Sequence, residues 1–376
     1  MPKPHPYKKS DGTITWRVRF RLAPNANPVS ETFTTYEAAH DFAHLIDTVG
    51  PVEARRIRDA TTTHPGGLTL ATAFTQYLTH VATYTEPDTP HRYRIVAEHS
   101  WLPTLGHYPI NALTRAHVTA WLAKQRATPT YKGTPPAAKT LKNAHSVLSS
   151  TLQHHVTIGN LETNVARGVK LPKATINTRP HVYLTPERFT TICAHLDGQD
   201  LFLARLLYAT GMRYSEATAL TPADFTLDTT PATVRVWRAW KQTPDGPRLG
   251  TPKTRKSERT ITLPAAFARE AAAYLATLPR MEQVFTGTGG GLLPNRAWRD
   301  VWYAACARAG VEPRPTIHDL RHSHASELIR ASVPLPIIQG RLGHESIQTT
   351  VDTYGHLASD AGNLAATAID NALNGQ

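Results

Sequence analysis

The hydrophobic period changes along this chain, and that change limits its architecture more than any other feature. In TITWRVRFR at 13–21 the side chains alternate: Trp16, Val18 and Phe20 face one way and Arg17, Arg19 and Arg21 the other. That is the period of a strand with one wet face. A second strand is expected over 29–34, after a Pro/Asn turn. From Tyr36 the apolar residues recur at three and four instead, so Ala39, Phe42, Ala43 and Ile46 share one face of a helix reaching Val49. RRIRDATTTHPGG, within 53–67, reads as a linker. Helical spacing resumes at Leu70 with Ala73, Phe74, Tyr77, Leu78 and Val81. Further helices are expected near 91–102, 114–127, 136–155 and 160–167. The breaker-rich stretches THPGGLTL and LPKATINTRPHVYL bracket this helical run.

After the second break the pattern is mixed. Thr185 as N-cap with Pro186 at the first helical position opens a helix over 186–196, and helices follow over 199–209 and 213–220. A β region is expected from Thr233 to Trp240 and again from Arg259 to Leu263, with the basic turn PKTRKSER between. Pro264 then opens a helix with Phe267, Ala271, Leu275 and Leu278 on one face, and Asn295 to Ala309 supplies another. The fold class is therefore multidomain, mainly α with small β-sheets. A sheet-plus-helix module occupies 1–58, a linker 59–67, an all-helical module 68–172, a second linker 173–180 and an α+β module 181–376. At 376 residues the chain buries its own cores without staples. Its two cysteines, Cys193 and Cys306, lie in helical stretches as buried thiols, too few for a disulfide scaffold or a four-cysteine zinc site. The N-terminal MPKPHPYKKSDG has no apolar core, and no run approaches about 18 apolar residues, so neither secretion nor a membrane span is expected.

Charge narrows the partner. The net charge is +12, and the segment 61–180 alone holds 12 basic against 4 acidic residues. A polyanion is the expected partner. Lys124, Arg126, Lys132, Lys139 and Lys142 flank one loop and the long helix of the middle module. They read as nucleic-acid contacts, or else as a solvated helical face. The row Arg17, Arg19, Arg21 lies against phosphates or a groove, or is the wet side of a sheet.

The chemistry concentrates in the last module. In TIHDLRHSHASELI at 316–329, His318 and Arg321 stand three apart on one side of a helix, a pair able to grip a phosphate. In TGMRYSEATAL at 210–220, Arg213 follows a glycine turn and Glu216, one turn on, can hold its guanidinium. Lys253 lies on the basic turn, and RLGHESIQTTVDTYGHL at 341–357 carries His344 and, ten positions later, Tyr354. No carboxylate pair for hydrolysis is present, and HHV at 154–156 and HSH at 322–324 are badly spaced for a closed metal site, so no metal is expected. The run GTGGG at 287–291 lacks the ending of a phosphate-binding loop, so no nucleotide cofactor is expected either.

This module resembles the tyrosine recombinases, the phage-integrase family. Those enzymes carry, in order, an Arg in a TGxR-x-x-E box, a hairpin Lys, His-x-x-Arg, a His or Trp in an LGH box and a nucleophilic Tyr. The matching residues are Arg213 with Glu216, Lys253 in TPKTRKSERTI, His318 and Arg321 in HDLRHSHAS, His344 in LGHESIQTT and Tyr354 in DTYGHL. Tyr214, Ala217 and Thr218 depart from the family's usual residues and touch packing rather than chemistry. Lys256, three residues beyond Lys253, is the other lysine that fits, and Arg255 and Lys256 are counted as DNA contacts.

The resemblance implies an arm-type DNA-binding domain of three strands and a helix, a helical core-binding (SAM-like) domain and an α+β catalytic domain. It implies a site-specific strand transferase that needs neither metal nor ATP and works through a 3′-phosphotyrosyl link. Arg213 and Arg321 would clamp the phosphate, His344 would add a hydrogen bond, His318 would accept the Tyr354 proton and Lys253 would protonate the leaving 5′ oxygen. The implied partners are double-stranded DNA attachment sites, a homotetramer on two such sites passing through a Holliday junction, and DNA-bending or excision accessory proteins. The implied location is the cytoplasm of a prokaryotic cell, on chromosomal or mobile-element DNA. The stretch from Asp360 to Leu373 docks on a neighbouring subunit or caps its own core. Relaxation of the type IB topoisomerase kind and a catalytically idle DNA-binding relative are the alternative readings.

Overall fold

The computed structural model describes residues 2–63, 67–130, 133–172, 181–251, 257–280, 282–357 and 361–374. It divides into two compact units, Met1–Thr178 and Arg179–Gln376. In the first, strands β1 (Pro4–Lys8), β2 (Ile14–Arg21) and β3 (Pro28–Phe33) form an antiparallel sheet in that order. The alternation of β2 is realised: Val18 and Phe20 are buried, while Arg19 and Arg21 are exposed. β1 carries no readable alternation because Pro4 and Pro6 interrupt it; it survives as an edge strand, where missing donors are tolerated. Helix α1 (Tyr36–Val49) lies on the sheet, capped by Thr35 accepting from the Ala38 amide at 3.2 Å. Its Ala39, Phe42, Ala43 and Ile46 are the buried face, as the periodicity predicts.

The expected linker is largely helical. Helix α2 (Pro51–Thr63) occupies it, starting with proline at the first position and an early acid, Glu53, both favourable at a helix start. Ala54 packs into the sheet module's core and Ile57 into that of the helices beyond, so α2 serves both. Tyr108 donates to Glu53 Oε1 at 2.6 Å, and Arg55 and Arg58 pair with Glu31 of β3. Residues 64–66, the rest of that expected joint apart from Gly67, lie outside the described residues, as does the second expected linker, 173–180.

Helices α3 (Leu70–Ala82), α4 (Asp88–Glu98), α5 (Leu102–Leu105), α6 (Arg115–Ala127) and α7 (Ala138–Thr157) enclose Trp101, Tyr108, Trp121 and Leu148. The helix expected over 160–167 is a run of turns. Asn164 holds it: its amide donates to Ser149 O at 2.9 Å while its Oδ1 accepts from Ala166 N at 3.1 Å. Leu161 and Val165 pack on the core from this turn, which mimics helical spacing.

The second unit opens with α8 (Pro186–Cys193), α9 (Gly198–Thr210) and α10 (Tyr214–Ala217). Thr185 caps α8 as expected. Strands β4 (Phe225–Thr226), β5 (Thr233–Val236), β6 (Ala239–Thr243), β7 (Gly246–Gly250) and β8 (Arg259–Thr262) follow. They form one sheet in the order β4-β5-β8 and a separate β6-β7 hairpin. The β region expected from Thr233 to Trp240 holds β5 and the start of β6. The break falls where Trp237 and Arg238 turn to Asp224, with Trp237 Nε1 donating to Oδ1 at 2.7 Å and Arg238 to Oδ2 at 2.5 Å. Helices α11 (Ala265–Leu275), α12 (Asn295–Arg308), α13 (Ile317–Arg330), α14 (Leu335–Leu342), α15 (Ile347–Tyr354) and α16 (Ala361–Leu373) complete the unit.

Phe202, Phe285, Trp298 and Trp302 centre its main core. A smaller cluster joins Ala325, Ile338, Leu342 and Tyr354. Cys306 is buried, but Cys193 is only half-buried, against expectation. Burial pushes both thiols up to about 12. On α16, Ile369 and Leu373 are exposed, while the Leu364 and Ala368 side chains lie outside the described residues.

Gly211 ends α9 in the left-handed conformation, φ 66°. A Cβ there would stand 2.6 Å from His324 Cδ2 and 2.8 Å from Leu342 Cδ2. Gly310 has a similar φ of 62° but open space around it. Gly310→Ala is expected to cost about 1–2 kcal/mol from backbone strain alone. Gly211→Ala adds overpacking and is expected to cost on the order of 3 kcal/mol or more. Urea unfolding of the two variants checks the order; equal losses would contradict the close packing of α9, α13 and α14.

Candidate active site

Arg213 enters the site because α9 stops. After Gly211 the chain extends, and Arg213 becomes the residue preceding α10. Glu216, one turn on, is 2% exposed and accepts three hydrogen bonds. They come from the Arg213 amide at 2.9 Å, Arg213 Nη1 at 2.7 Å and Arg259 Nη2 at 2.8 Å. Burial by itself would raise the Glu216 carboxyl, yet Arg259 and then Arg213 hold it below the usual carboxylate range. Arg259 reaches across from β8, giving Nε to Arg341 O at 2.7 Å and Nη1 to Ser257 O at 2.9 Å. Arg213 Nη2 lies 3.4 Å from Gly343 O, and 39% of its side chain stays open to solvent.

Helix α13 delivers the next residues. Its start is a capping box: Thr316 N and Oγ1 donate to Asp319 Oδ2 at 2.7 and 2.8 Å, and Asp319 N donates back to Thr316 Oγ1 at 3.2 Å. Arg321 is 3% exposed. Its Nη1 donates to Gly211 O at 2.6 Å and Nη2 to Leu342 O at 2.8 Å, so the ends of α9 and α14 grip it with their unpaired carbonyls. Burial and then Arg213 lower its pKa, but a guanidinium still keeps its charge. His318 stands exposed at the mouth, where loss of surrounding water and then Arg321 lower its pKa.

His344 follows Gly343, the left-handed cap of α14, and its Nδ1 lies 2.9 Å from Thr350 Oγ1. Burial, then Arg321 and Arg213, push it down to about 4, so the imidazole is neutral at pH 7. Tyr354, the last residue of α15, is 1% exposed, and burial raises its phenol to about 12. The sequence reading gives its proton to His318. The hydrogen bond present is to His322, whose Nδ1 is 2.9 Å from Tyr354 Oη.

Arg213, Glu216, His318, Arg321, His344 and Tyr354 thus converge from α10, α13, α14–α15 and the ends between them. Lys253, Arg255 and Lys256 lie outside the described residues, as does Lys132. Lys124, Arg126, Lys139 and Lys142 are exposed on α6 and α7 of the first unit, and Arg17 lies over the Tyr7 ring at 3.5 Å.

Sequence reasoning missed Arg259, which pattern does not mark, and His322. The latter had a signal: it stands four residues after His318, on the same face of α13. It also missed His324, whose Nδ1 is 2.8 Å from Tyr208 O and whose Nε2 accepts from Arg341 Nε at 2.9 Å. Among the described residues Arg213 and Arg259 share Glu216 while Arg321 is held by carbonyls, an excess of positive charge suited to an anion. Among the described residues one group is close enough to hold a metal: His181, Asp319 and His322, with ligand atoms within 4.8 Å of one another. Within it Asp319 Oδ2 closes the helix cap, His322 Nδ1 meets Tyr354 Oη at 2.9 Å, and His181 Nδ1 lies 3.7 Å from Asp319 Oδ1.

Residues 183–360 match the phage integrase family. The tyrosine recombinase XerC of Mycobacterium tuberculosis is 30% identical over 265 residues, which is 66% of this chain and 80% of that one. The Tn1549 transposon integrase in complex with transposon right-end DNA superposes with a TM-score of 0.66 at 18% identity, over 80% of this chain and 99% of that one. The lambda integrase tetramer bound to a Holliday junction gives 0.55 at 16% identity, over 93% and 95%. At such identities these two likenesses are of fold, and they cover all but a small part of the chain. The chain belongs to the phage integrase family, the tyrosine recombinases, whose common activity is site-specific DNA recombination. No described helix is long and apolar enough to cross a membrane.

The neutral histidines make the second unit acid-sensitive. Burial is the leading cause that takes His322 and His324 to about 3, beside His344 at about 4, from an ordinary 6.5. The unfolded chain gains protons near 6.5 that the fold refuses. Stability is therefore full above about pH 6.5 and falls as pH drops toward 4. Urea unfolding across this range is expected to show that slope, and His324→Gln is expected to remove about one proton's share of it. An unchanged slope in the variant would contradict a neutral His324.

Proposed function

We propose that this chain cuts and rejoins double-stranded DNA at specific sites through a 3′-phosphotyrosyl link to Tyr354, and so integrates or excises a mobile element. The observation that carries this reading is the positive charge of Arg213 and Arg321 close to the buried hydroxyl of Tyr354. In the reaction Tyr354 Oη attacks the scissile phosphorus and the 5′ oxygen leaves. Arg213 and Arg321 bind the non-bridging oxygens, where charge builds in the transition state, and they supply there the positive charge that other phosphoryl-transfer enzymes draw from a metal. His344, neutral and fixed through Nδ1 by Thr350, offers its other nitrogen to the same phosphate. Lys253 is assigned the proton for the 5′ oxygen, which is otherwise a poor leaving group. A covalent link keeps the energy of the broken bond, so a second 5′-hydroxyl reseals the strand without ATP.

Two folds that resemble this one support the assembly: lambda integrase is a tetramer on a Holliday junction, and the Tn1549 integrase binds its transposon's end. By the same reading this chain forms a homotetramer on two attachment sites, aided by DNA-bending or excision proteins. The helical module, with Lys124, Arg126, Lys139 and Lys142, tracks backbone phosphates at the core site. The sheet module binds a separate arm site through the Arg19 and Arg21 face.

The test uses a core duplex selected from random DNA by binding to the full chain, then nicked so that cleavage traps the adduct. Tyr354→Phe is expected to abolish the adduct on denaturing gels with binding retained; a persistent protease-sensitive adduct would place the nucleophile elsewhere. Arg213→Ala and Arg321→Ala are each expected to slow attachment roughly 100- to 1000-fold. Their affinity should fall far less, because many other phosphate contacts remain. Equal losses in binding and cleavage would make them anchors. Attachment in excess EDTA is expected to keep its rate, and a loss restored by magnesium at the chemical step would contradict the scheme.

A further inference from the structure

We propose that His322, the residue after Arg321, is the general base of strand cleavage: it takes the phenol proton as Tyr354 Oη bonds the phosphorus. This rests on the reading of Tyr354 as nucleophile. The geometry is direct. His322 Nδ1 lies 2.9 Å from Tyr354 Oη, within the reach a proton acceptor needs, and both groups are buried.

A negative charge near such a base favours its protonated form, and Asp319 supplies one. It precedes His322 by one helical turn, and its carboxylate is locked in the capping box with Thr316. The ligand atoms of Asp319, His322 and His181 lie within 4.8 Å of one another, so negative charge stands close to the imidazolium that would form.

The other histidines are placed for other work. His318 meets the His322 ring edge-on at 4.7 Å between centroids and opens to the cleft mouth. His344 is tied to Thr350 through Nδ1. His181 packs its ring 3.9 Å from that of His322, on the side of Asp319. The groups facing His322 are thus His318, Asp319 and Arg321 from its own helix, His181 from the segment before α8, and Tyr354 from α15, with Tyr183 beside the phenol.

The step balances. The Oη–H bond breaks and its proton passes to Nδ1; the Oη–P bond forms and the P–O5′ bond breaks. The 5′ oxygen takes a separate proton, from Lys253 in the reading above. In rejoining, the His322 imidazolium returns its proton to Tyr354 Oη as the phenol leaves. Burial keeps both partners neutral at rest, with the imidazole pushed down to about 3 and the phenol up to about 12. Transfer is therefore coupled to bond formation, and no free phenolate accumulates.

The test compares His322→Asn, His318→Asn and Tyr354→Phe in the full chain on the nicked core duplex. Asparagine places an amide near the Nδ1 position: it still hydrogen-bonds the phenol but accepts no proton. His322→Asn is expected to form adduct about 100-fold more slowly or worse at pH 7, with duplex affinity unchanged. Its rate is expected to climb with pH, about tenfold per unit, as hydroxide replaces the missing base. His318→Asn is expected to lack that climb. In His322→Ala, added imidazole is expected to restore part of the rate, a readout that a merely structural role would not move. The inference is overturned by a His322→Asn rate equal to the parent's, by a loss that no pH or imidazole relieves, or by the climb appearing in His318→Asn. An adduct that survives Tyr354→Phe removes the nucleophile reading as well; a silent Phe variant beside a fully active Asn variant removes this inference alone.

Discussion

One buried carboxylate holds the site together. Glu216 accepts from the guanidinium groups of both Arg213 and Arg259, and from the backbone where α10 begins. Removing one partner of such a buried pair typically costs about 3–5 kcal/mol, because a charge is left uncompensated. Here the loss would also free Arg259, which ties β8 to the end of α14 through Arg341 O. Arg321 needs no carboxylate. Two helix ends hold it by their carbonyls, Gly211 O and Leu342 O, and Gly211 meets α13 and α14 so closely that a methyl group would collide. The protein's own carboxylate and carbonyls therefore fix the arginines in place.

The histidines complement that arrangement by staying neutral. Burial disfavours a charged imidazole at each position and the nearby Arg321 adds repulsion, so His322, His324 and His344 all sit far below their ordinary pKa. Each then acts through hydrogen bonds: His324 braces Arg341 against Tyr208 O, His344 leans on Thr350, and His322 meets the tyrosine. Tyr354 belongs to a small apolar cluster with Ala325, Ile338 and Leu342, which keeps its hydroxyl dry and its proton in place at rest.

Much of this was legible in the sequence where one rule acts alone. The faces of α1 and α3 follow from spacing, and Thr185 marks a helix start by capping chemistry. The boxes around Arg213, His318, Arg321, His344 and Tyr354 are brought to one place. Reading fails where tertiary contacts override local pattern. Residues 59–63 look like a joint but continue α2, whose Ile57 and Ala54 find cores on two sides. Residues 160–167 carry helical spacing yet turn, because Asn164 satisfies the backbone otherwise. Arg259 and His322 escaped notice because their partners, Glu216 and Tyr354, are 43 and 32 residues away.

The hydrogen bonds of Glu216 predict that it acts on the chemistry by fixing Arg213. A double-mutant cycle of Glu216→Gln and Arg213→Ala, read as the rate of covalent attachment to the nicked core duplex, tests it most directly. If the carboxylate works through that guanidinium, the double variant will be far faster than the product of the two single losses implies. Losses that multiply would show that Glu216 and Arg213 act independently, and would contradict the account.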